Sequence, residues 1–388
     1  MVNRIIKIFT SLKLTVVLLG FGVLLVFIGT LAQVNEGLYQ AQARYFKSWF
    51  IWGVTLGGKN VPLPLPGGYL LGTLLLVNLL AAHLKRFQLT WKKSGIHLIH
   101  GGLILLLLGQ LLTDAFSTES ALRLAEGESK NYSEDFRANE LVVIDKSNPE
   151  HDEVVAVPES LVANGKEIKQ EKLPFSLRVQ NYWPNSRIVE RAVPASTPLK
   201  VTQGIGNGAH IIPMSSTTAL DERNIPSAVI EIVGPQGSLG TWLVNGILNG
   251  TQTFEFGGKT YELALRFTRY YKPFFLKLLE FKHEKYAGTE TPKNFESRVR
   301  IDNPQSGERR EVEIYMNNPL RYDGATYYQA SFDPNNDKLV NKVTILQVVR
   351  NPSWLTPYFA CVLITLGLIV QFLNHLVGFV AKRKAAQR

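Results

Sequence analysis

The sequence holds one cysteine in 388 residues, Cys361. A single thiol forms no CxxC pair, so the chain carries no thiol–disulfide exchange site, and without a CxxCH it is no c-type cytochrome. Nor can one thiolate assemble a zinc or iron–sulfur ligand set. Cys361 lies in an apolar run, where a free cysteine packs as a small hydrophobe. Acidic residues are scarce too, at both ends of the chain. Outside residues 114–350 there are 14 Lys and Arg against one acid, Glu36. Between Asp114 and Arg350 there are 28 Lys and Arg against 31 Asp and Glu. The formal net charge of +10 therefore comes from the flanks alone. A plain soluble enzyme is excluded, and the basic charge is not a nucleic-acid signal, because the polar block does not carry it.

What the flanks do have is apolar length. Charge is absent from Leu14–Asn35, from the end of Asn60–Leu84, from Ser94–Thr113 and from the part of Asn351–Ala381 ahead of Lys382. A bilayer core takes about 20 apolar residues as a helix. This predicts an integral membrane protein with four transmembrane α-helices and a large extracytoplasmic, antiparallel β-rich domain. Residues 1–113 form a membrane domain with helices at about 14–34, 66–84 and 94–113. Residues 114–350 form the outer domain, and 351–388 a fourth helix with a basic tail. The first apolar run is longer than the core of an ordinary signal peptide and is followed at once by more membrane sequence, so it reads as an uncleaved anchor. Arg4, Lys7 and Lys13 precede the first helix; Lys85, Arg86, Lys92 and Lys93 lie between the second and third; Lys382, Arg383, Lys384 and Arg388 follow the fourth. All fall on one side when four helices are threaded in order. The positive-inside rule makes that side the cytoplasm, in the cytoplasmic (inner) membrane with both termini inside. In the outer loop 36–68, Tyr45, Phe46, Trp49, Phe50 and Trp52 suit either an interfacial aromatic belt or simple loop packing.

The middle block reads as strands: Glu140–Ile144, Ala228–Val233, Tyr261–Thr268, Arg298–Ile301 and Lys342–Val349. Asn164-Gly165, Pro235-Gln236-Gly237, Gly257-Gly258, Ser306-Gly307 and Asp323-Gly324 punctuate it as turns. Leu173–Tyr182 (LPFSLRVQNY) has an echo in Lys272–Phe281 (KPFFLKLLEF), consistent with two related β sub-domains or with chance. Gly204–Gly208 (GIGNG) and Gly246–Gly250 (GILNG) lack the Lys-Ser/Thr and the strand–helix setting of phosphate loops. No catalytic constellation stands out.

Four of the seven histidines belong to the apolar blocks: His83, His97, His100 and His375. Threading places all four toward the cytoplasmic ends of their helices. His97 and His100 are three apart and share a helix face. Gly95, Gly101 and Gly102 beside them allow a backbone or a flat ligand to come close. Ionisable side chains at membrane depth face a cavity, a partner or a ligand. Haem or metal ligation, hydrogen bonding across the bundle, and proton or ion relay all remain open on pattern alone.

Several segments resemble the ResB/CcsB family of cytochrome c biogenesis proteins. Gly95–Thr113 (GIHLIHGGLILLLLGQLLT) is similar to the family's third helix. The SLKLTVVLLGFGVLLVFIGTLAQ segment resembles its opening. Phe274–Val299 (FFLKLLEFKHEKYAGTETPKNFESRV) resembles its Tyr-x-Gly-Thr and Phe-x-Ser-x-Val segment. Asn317–Phe332 (NNPLRYDGATYYQASF) resembles its Asn-x-Pro-Leu and Tyr-Gln-x-Ser block, the most specific of these. The resemblance implies a subunit of a System II haem lyase or synthase complex, with no catalytic group of its own. It implies haem b in transit as cofactor, a CcsA/ResC-like membrane partner with a tryptophan-rich motif, apocytochrome c, a separate thiol reductant and no nucleic acid. The partner's motif has no counterpart here, since Gly53-Val54 follow Trp52, so the chain resembles the ResB half. The family's intramembrane axial ligand to haem iron carries over to His100, with His97 one turn away as the rival. A scaffold that holds no haem, and a b-type electron-transfer protein, are the competing functions.

Overall fold

A computed structural model describes residues 2–387, apart from 57–58, 89, 218–222, 249–251, 287, 289–291 and 334–338. The described chain has six α-helices: α1 (Val2–Phe9), α2 (Leu12–Ala41), α3 (Gly68–Lys85), α4 (Ser94–Phe116), the short α5 (Glu159–Ala163) and α6 (Thr356–Ala386). It divides into two compact units. One comprises Met1–Thr118 and Asn351–Arg388, the other Glu119–Thr217 and Asp221–Arg350.

Four helical stretches in the first unit are long and apolar enough to cross a membrane: Leu12–Phe46, Gly68–Lys85, Trp91–Phe116 and Thr356–Ala386. Their outward side chains are apolar, among them Val23, Phe27, Leu111 and Phe372. Water does not favour so much apolar surface, and a hydrocarbon phase does. Ser11 caps α2 by accepting from the Lys13 N–H at 3.2 Å. The helix continues past residue 34 and kinks at Gly37, whose φ of +75° costs a glycine little. A wider π turn, Gln42–Phe46, follows. Asn78 of α3, 2% exposed, ties the N-terminal segments together. Its amide donates to the Phe9 carbonyl at 2.8 Å and its oxygen accepts from Thr15 Oγ1 at 2.5 Å.

The α4–α6 pair is built on small residues. Gly95, Gly102 and Gly109 recur every seven residues on α4. Cβ atoms placed on them would lie 2.8 Å from the Gly367 oxygen, 2.8 Å from the Ala360 oxygen and 2.5 Å from Thr356 Cγ2. A seven-residue repeat keeps one seam facing a neighbouring helix, and glycine lets the two backbones touch. Ser353 then bonds Thr113 across the pair at 2.8 Å.

The predicted outer loop turns out to contain a two-stranded antiparallel hairpin, Phe50–Leu56 with Lys59–Pro66. Pro62, Pro64 and Pro66 are tolerated because a two-stranded ribbon has free edges. The aromatic residues divide. Tyr45 is fully buried, and Phe46 packs where Gly29 leaves space, whereas Trp49, Phe50 and Trp52 are exposed. Asp114, at the far end of α4 from the histidines, accepts from Lys47 Nζ at 2.7 Å and from the Tyr69 hydroxyl.

The second unit is antiparallel β-structure in sheets of ten, four and three strands. Four of the five predicted strand segments fall within an observed strand, and Lys342–Val349 does so from Val343 onward. The longest ladder pairs Ser129–Asp145 with Lys259–Lys285, from Tyr261↔Asp145 to Lys277↔Ser129. Two predicted turns are two-residue hairpin loops with positive φ throughout: Gly257-Gly258 (59° and 76°) and Asp323-Gly324 (48° and 70°). That twist matches the strands they join. The sequence echo has a structural counterpart. Phe175, Leu177 and Val179 point into one hydrophobic core, with Ile230, Trp242 and Leu263. The corresponding Phe274, Leu276 and Leu278 point into another, with Val299, Ile314 and Leu346. The second glycine run, Gly246–Gly250, lies partly outside the described residues.

Candidate functional site: an imidazole cluster

α3 ends at Lys85, and a short connection folds the chain back into α4 through the 3₁₀ turn Trp91–Lys93. The fold-back sets the last turn of α3 beside the first turns of α4. His83 thereby meets the two histidines that share a face of α4. Its ring centroid is 5.0 Å from that of His97 and 5.5 Å from that of His100, both edge to face. Phe87 closes one flank, 4.8 Å from His97 and 5.7 Å from His83. His375 does not join them: among the described residues its ring contacts none of the three, and its Nε2 lies 2.8 Å from the Gln371 amide nitrogen. The expectation of four gathered histidines is corrected to three, because α6 presents Gly367 and Gln371 to α4 at this level, at Gly95.

The three rings are not equivalent. His97 Nε2 lies 2.9 Å from the backbone oxygen of Gln88. A carbonyl only accepts, so His97 carries its proton on Nε2. Its Nδ1 is buried without a partner. His100 is the reverse. Its Nδ1 lies 3.4 Å from His83 Nδ1, and among the described residues its Nε2 makes no hydrogen bond. Next to it, Gly101 has no atom within 4 Å of its added Cβ. Gly102 has none of that freedom, since its Cβ would sit 2.5 Å from Ile364 Cγ1. Of the three glycines expected to let a backbone or a flat ligand come close, Gly95 and Gly102 admit the α6 backbone, and Gly101 has open space around it. Among the described residues no group of three or more His, Cys, Asp or Glu side chains is arranged to hold a metal ion. Ligation of an iron already held by a porphyrin asks for less: one free imidazole nitrogen and an open flank. His100 with Gly101 fits that requirement; the unpartnered nitrogen of His97, Nδ1, is buried. His83 was singled out as a membrane histidine but not as a ligand, and Phe87 and Gln88 were not expected at the site; the eight residues between Lys85 and Ser94, too few to let the helix ends separate, were the available signal.

The second unit explains two of the sequence motifs. Ser297 of the Phe-x-Ser-x-Val segment and Gln329 of the Tyr-Gln-x-Ser block meet in the core with Thr344. Ser297 Oγ lies 2.6 Å from Gln329 Oε1 and 2.8 Å from Thr344 Oγ1, and Gln329 Nε2 donates to Thr344 Oγ1 at 2.9 Å. Three buried polar side chains satisfy one another and tie the strand Pro292–Asn303 to the paired strands Ala325–Phe332 and Val343–Arg350, which are not its neighbours in the sheet. The Tyr-x-Gly-Thr segment lies partly outside the described residues.

Residues 240–345, which include this network, match the model of the ResB-like family. Over 102 residues the chain is 32% identical to Protein NrfI of Wolinella succinogenes, covering 26% of this chain and 11% of that protein. The match thus spans about a tenth of the length of that curated relative. The match lies in the β-rich unit, with membrane-length helices on both sides of it in the sequence, so it is this part of the chain that is similar to the ResB-like family.

Proposed function

We propose that this chain works in cytochrome c biogenesis, as the ResB-like half of a complex that carries haem across the cytoplasmic membrane and assists its covalent attachment to apocytochrome c. The family match supports the general role. In this reading a CcsA/ResC-like membrane protein supplies the other half, the basic tails lie in the cytoplasm, and the β-rich unit lies outside. A separate reductant keeps the client thiols reduced, because Cys361 has no partner thiol in the chain.

Haem is the cargo, and His100 is its axial ligand. The observation that carries the assignment is the difference between two neighbouring imidazoles. His97 Nε2 is spent on the Gln88 carbonyl and its Nδ1 is buried, whereas among the described residues His100 Nε2 makes no hydrogen bond and the neighbouring Gly101 has an open flank. Phe87 packs against the His83 and His97 rings, and His97 ties the α3–α4 connection to α4 through the Gln88 carbonyl. Replacing His100 with Ala should abolish co-purified haem and cytochrome c maturation while the protein stays in the membrane, with partial rescue by added imidazole. His97→Ala should retain haem. If His97→Ala loses haem and His100→Ala keeps it, the assignment is reversed.

A further inference from the structure

His83 stands in neither the sequence motifs nor the assignment above, yet it is the only described side chain in polar contact with His100. Two Nδ1 atoms 3.4 Å apart cannot both present lone pairs or both present protons without repulsion. One ring must carry hydrogen on Nδ1 and the other must not. Where ligating histidines are held in a fixed tautomer, it is the hydrogen bond at the second nitrogen that fixes it. His97 does not play that part for His100: its Nε2 lies on the Gln88 carbonyl and its Nδ1 is buried with no hydrogen-bond partner.

We propose that His83 is a positioning residue for His100: it accepts the His100 Nδ1–H and so holds His100 in the tautomer whose Nε2 lone pair is free for iron. The inference deepens the haem-ligand reading and rests on it for its purpose, but the tautomer itself is a property of the chain without haem. The proton count is closed. Each neutral ring has one N–H: His100 on Nδ1, His83 on Nε2. Iron binding at His100 Nε2 then displaces no proton. In the opposite arrangement His100 Nε2 carries the hydrogen, and ligation must first move it. The α3–α4 fold-back sets the contact, with Phe87 packed 5.7 Å from the His83 ring to hold it in place.

The test is nitrogen NMR of the full-length protein in lipid, labelled with ¹⁵N at histidine, without haem, resonances being assigned by single His variants. Wild type should show His100 as the Nδ1–H tautomer. His83→Ala should release it to a mixture of both tautomers. His83→Asn, whose amide oxygen can accept in place of the ring nitrogen, should restore the single form. With haem bound, His83→Ala should shift the iron–histidine stretching frequency in resonance Raman, and His83→Asn should bring it back toward wild type. A wild-type His100 protonated on Nε2, or a His83→Ala variant with an unchanged His100 tautomer, would overturn the inference. The ligand reading fails separately, if His100→Ala still binds haem with an unchanged Raman signature.

Discussion

Gly102 of α4 faces Ile364 of α6 so closely that a Cβ on the glycine would lie 2.5 Å from the isoleucine Cγ1. Its neighbour Gly101 faces nothing within 4 Å. Adjacent residues on a helix point about 100° apart, so a pair of glycines divides between two tasks. One lets α6 dock, and the other has open space around it.

The first prediction separates those tasks. Gly102→Ala forces a methyl against Ile364 and the Ala360 carbonyl, an overpacking that costs ~1–3 kcal/mol. Its thermal unfolding temperature in detergent should fall, with haem retained by the molecules that remain folded. Gly101→Ala should leave unfolding unchanged or slightly raised, and Gly101→Leu should reduce haem content by filling the flank. Equal loss of stability in both alanine variants would show that the two faces are not distinct.

A second prediction concerns the buried Ser297–Gln329–Thr344 network. Gln329→Leu removes an amide that both hydroxyls use, and leaving buried polar groups short of partners costs ~1–3 kcal/mol. Ser297→Ala and Thr344→Val should each destabilise as well. The triple variant should cost less than the sum of the three, because no orphaned polar group remains. Differential calorimetry on the detergent-solubilised chain reads this directly, and strict additivity would show three independent side chains.

Much of this was legible in the sequence because it depends on composition along the chain. The four membrane-length helices follow from uninterrupted apolar runs. The strands follow from alternation, as at Tyr261–Thr268, and the hairpins from Gly257-Gly258 and Asp323-Gly324. What was not legible depends on register between elements distant in sequence. Nothing local says that Gly102 meets Ile364, or that α6 carries His375 past the other three histidines. Nor does sequence reveal which ring nitrogen is spoken for: His97 is distinguished from His100 only by the carbonyl of Gln88, placed there by a fold-back. The hairpin at residues 50–66 was hidden by Pro62, Pro64 and Pro66, which read as loop unless the strand is known to lie at an edge.

The third prediction is a pH dependence in the β-rich unit. Lys259 Nζ donates to Asp145 at 2.7 Å, and with the hydrogen bonds from Ser147 it holds the Asp145 carboxyl down at about 2. The unfolded value is ~3.9, so the folded pKa is depressed. A depressed carboxylate contributes stability that is present above the unfolded pKa and lost as pH falls through the folded one. The stability difference between wild type and Asp145→Asn should therefore be largest at neutral pH and shrink between roughly pH 4 and pH 2. A difference that holds constant across that window would show that the pair contributes nothing through ionisation.

The last prediction concerns which way the chain faces. The basic residues at the start of the chain, in the α3–α4 connection and after α6 are unopposed by any acid in those segments. Lys and Arg within ~15–20 residues of a span are retained on the cytoplasmic side, while carboxylates contribute little to orientation. The four helices alternate direction if each crosses once, which puts those three basic segments on one side and the β-rich unit on the other. An alkaline phosphatase fused at Gly237, the first residue after the turn that joins Ser227–Gly234 to Gly237–Asn245, should be active, since that enzyme needs an oxidising compartment to form its disulfides. The same enzyme fused at Gln387 should be inactive, and a fluorescent protein there should be bright. Activity at Gln387 with none at Gly237 would invert the topology. It would also move His83, His97 and His100 to the outer leaflet, where they would receive haem already exported rather than capture it on the cytoplasmic side.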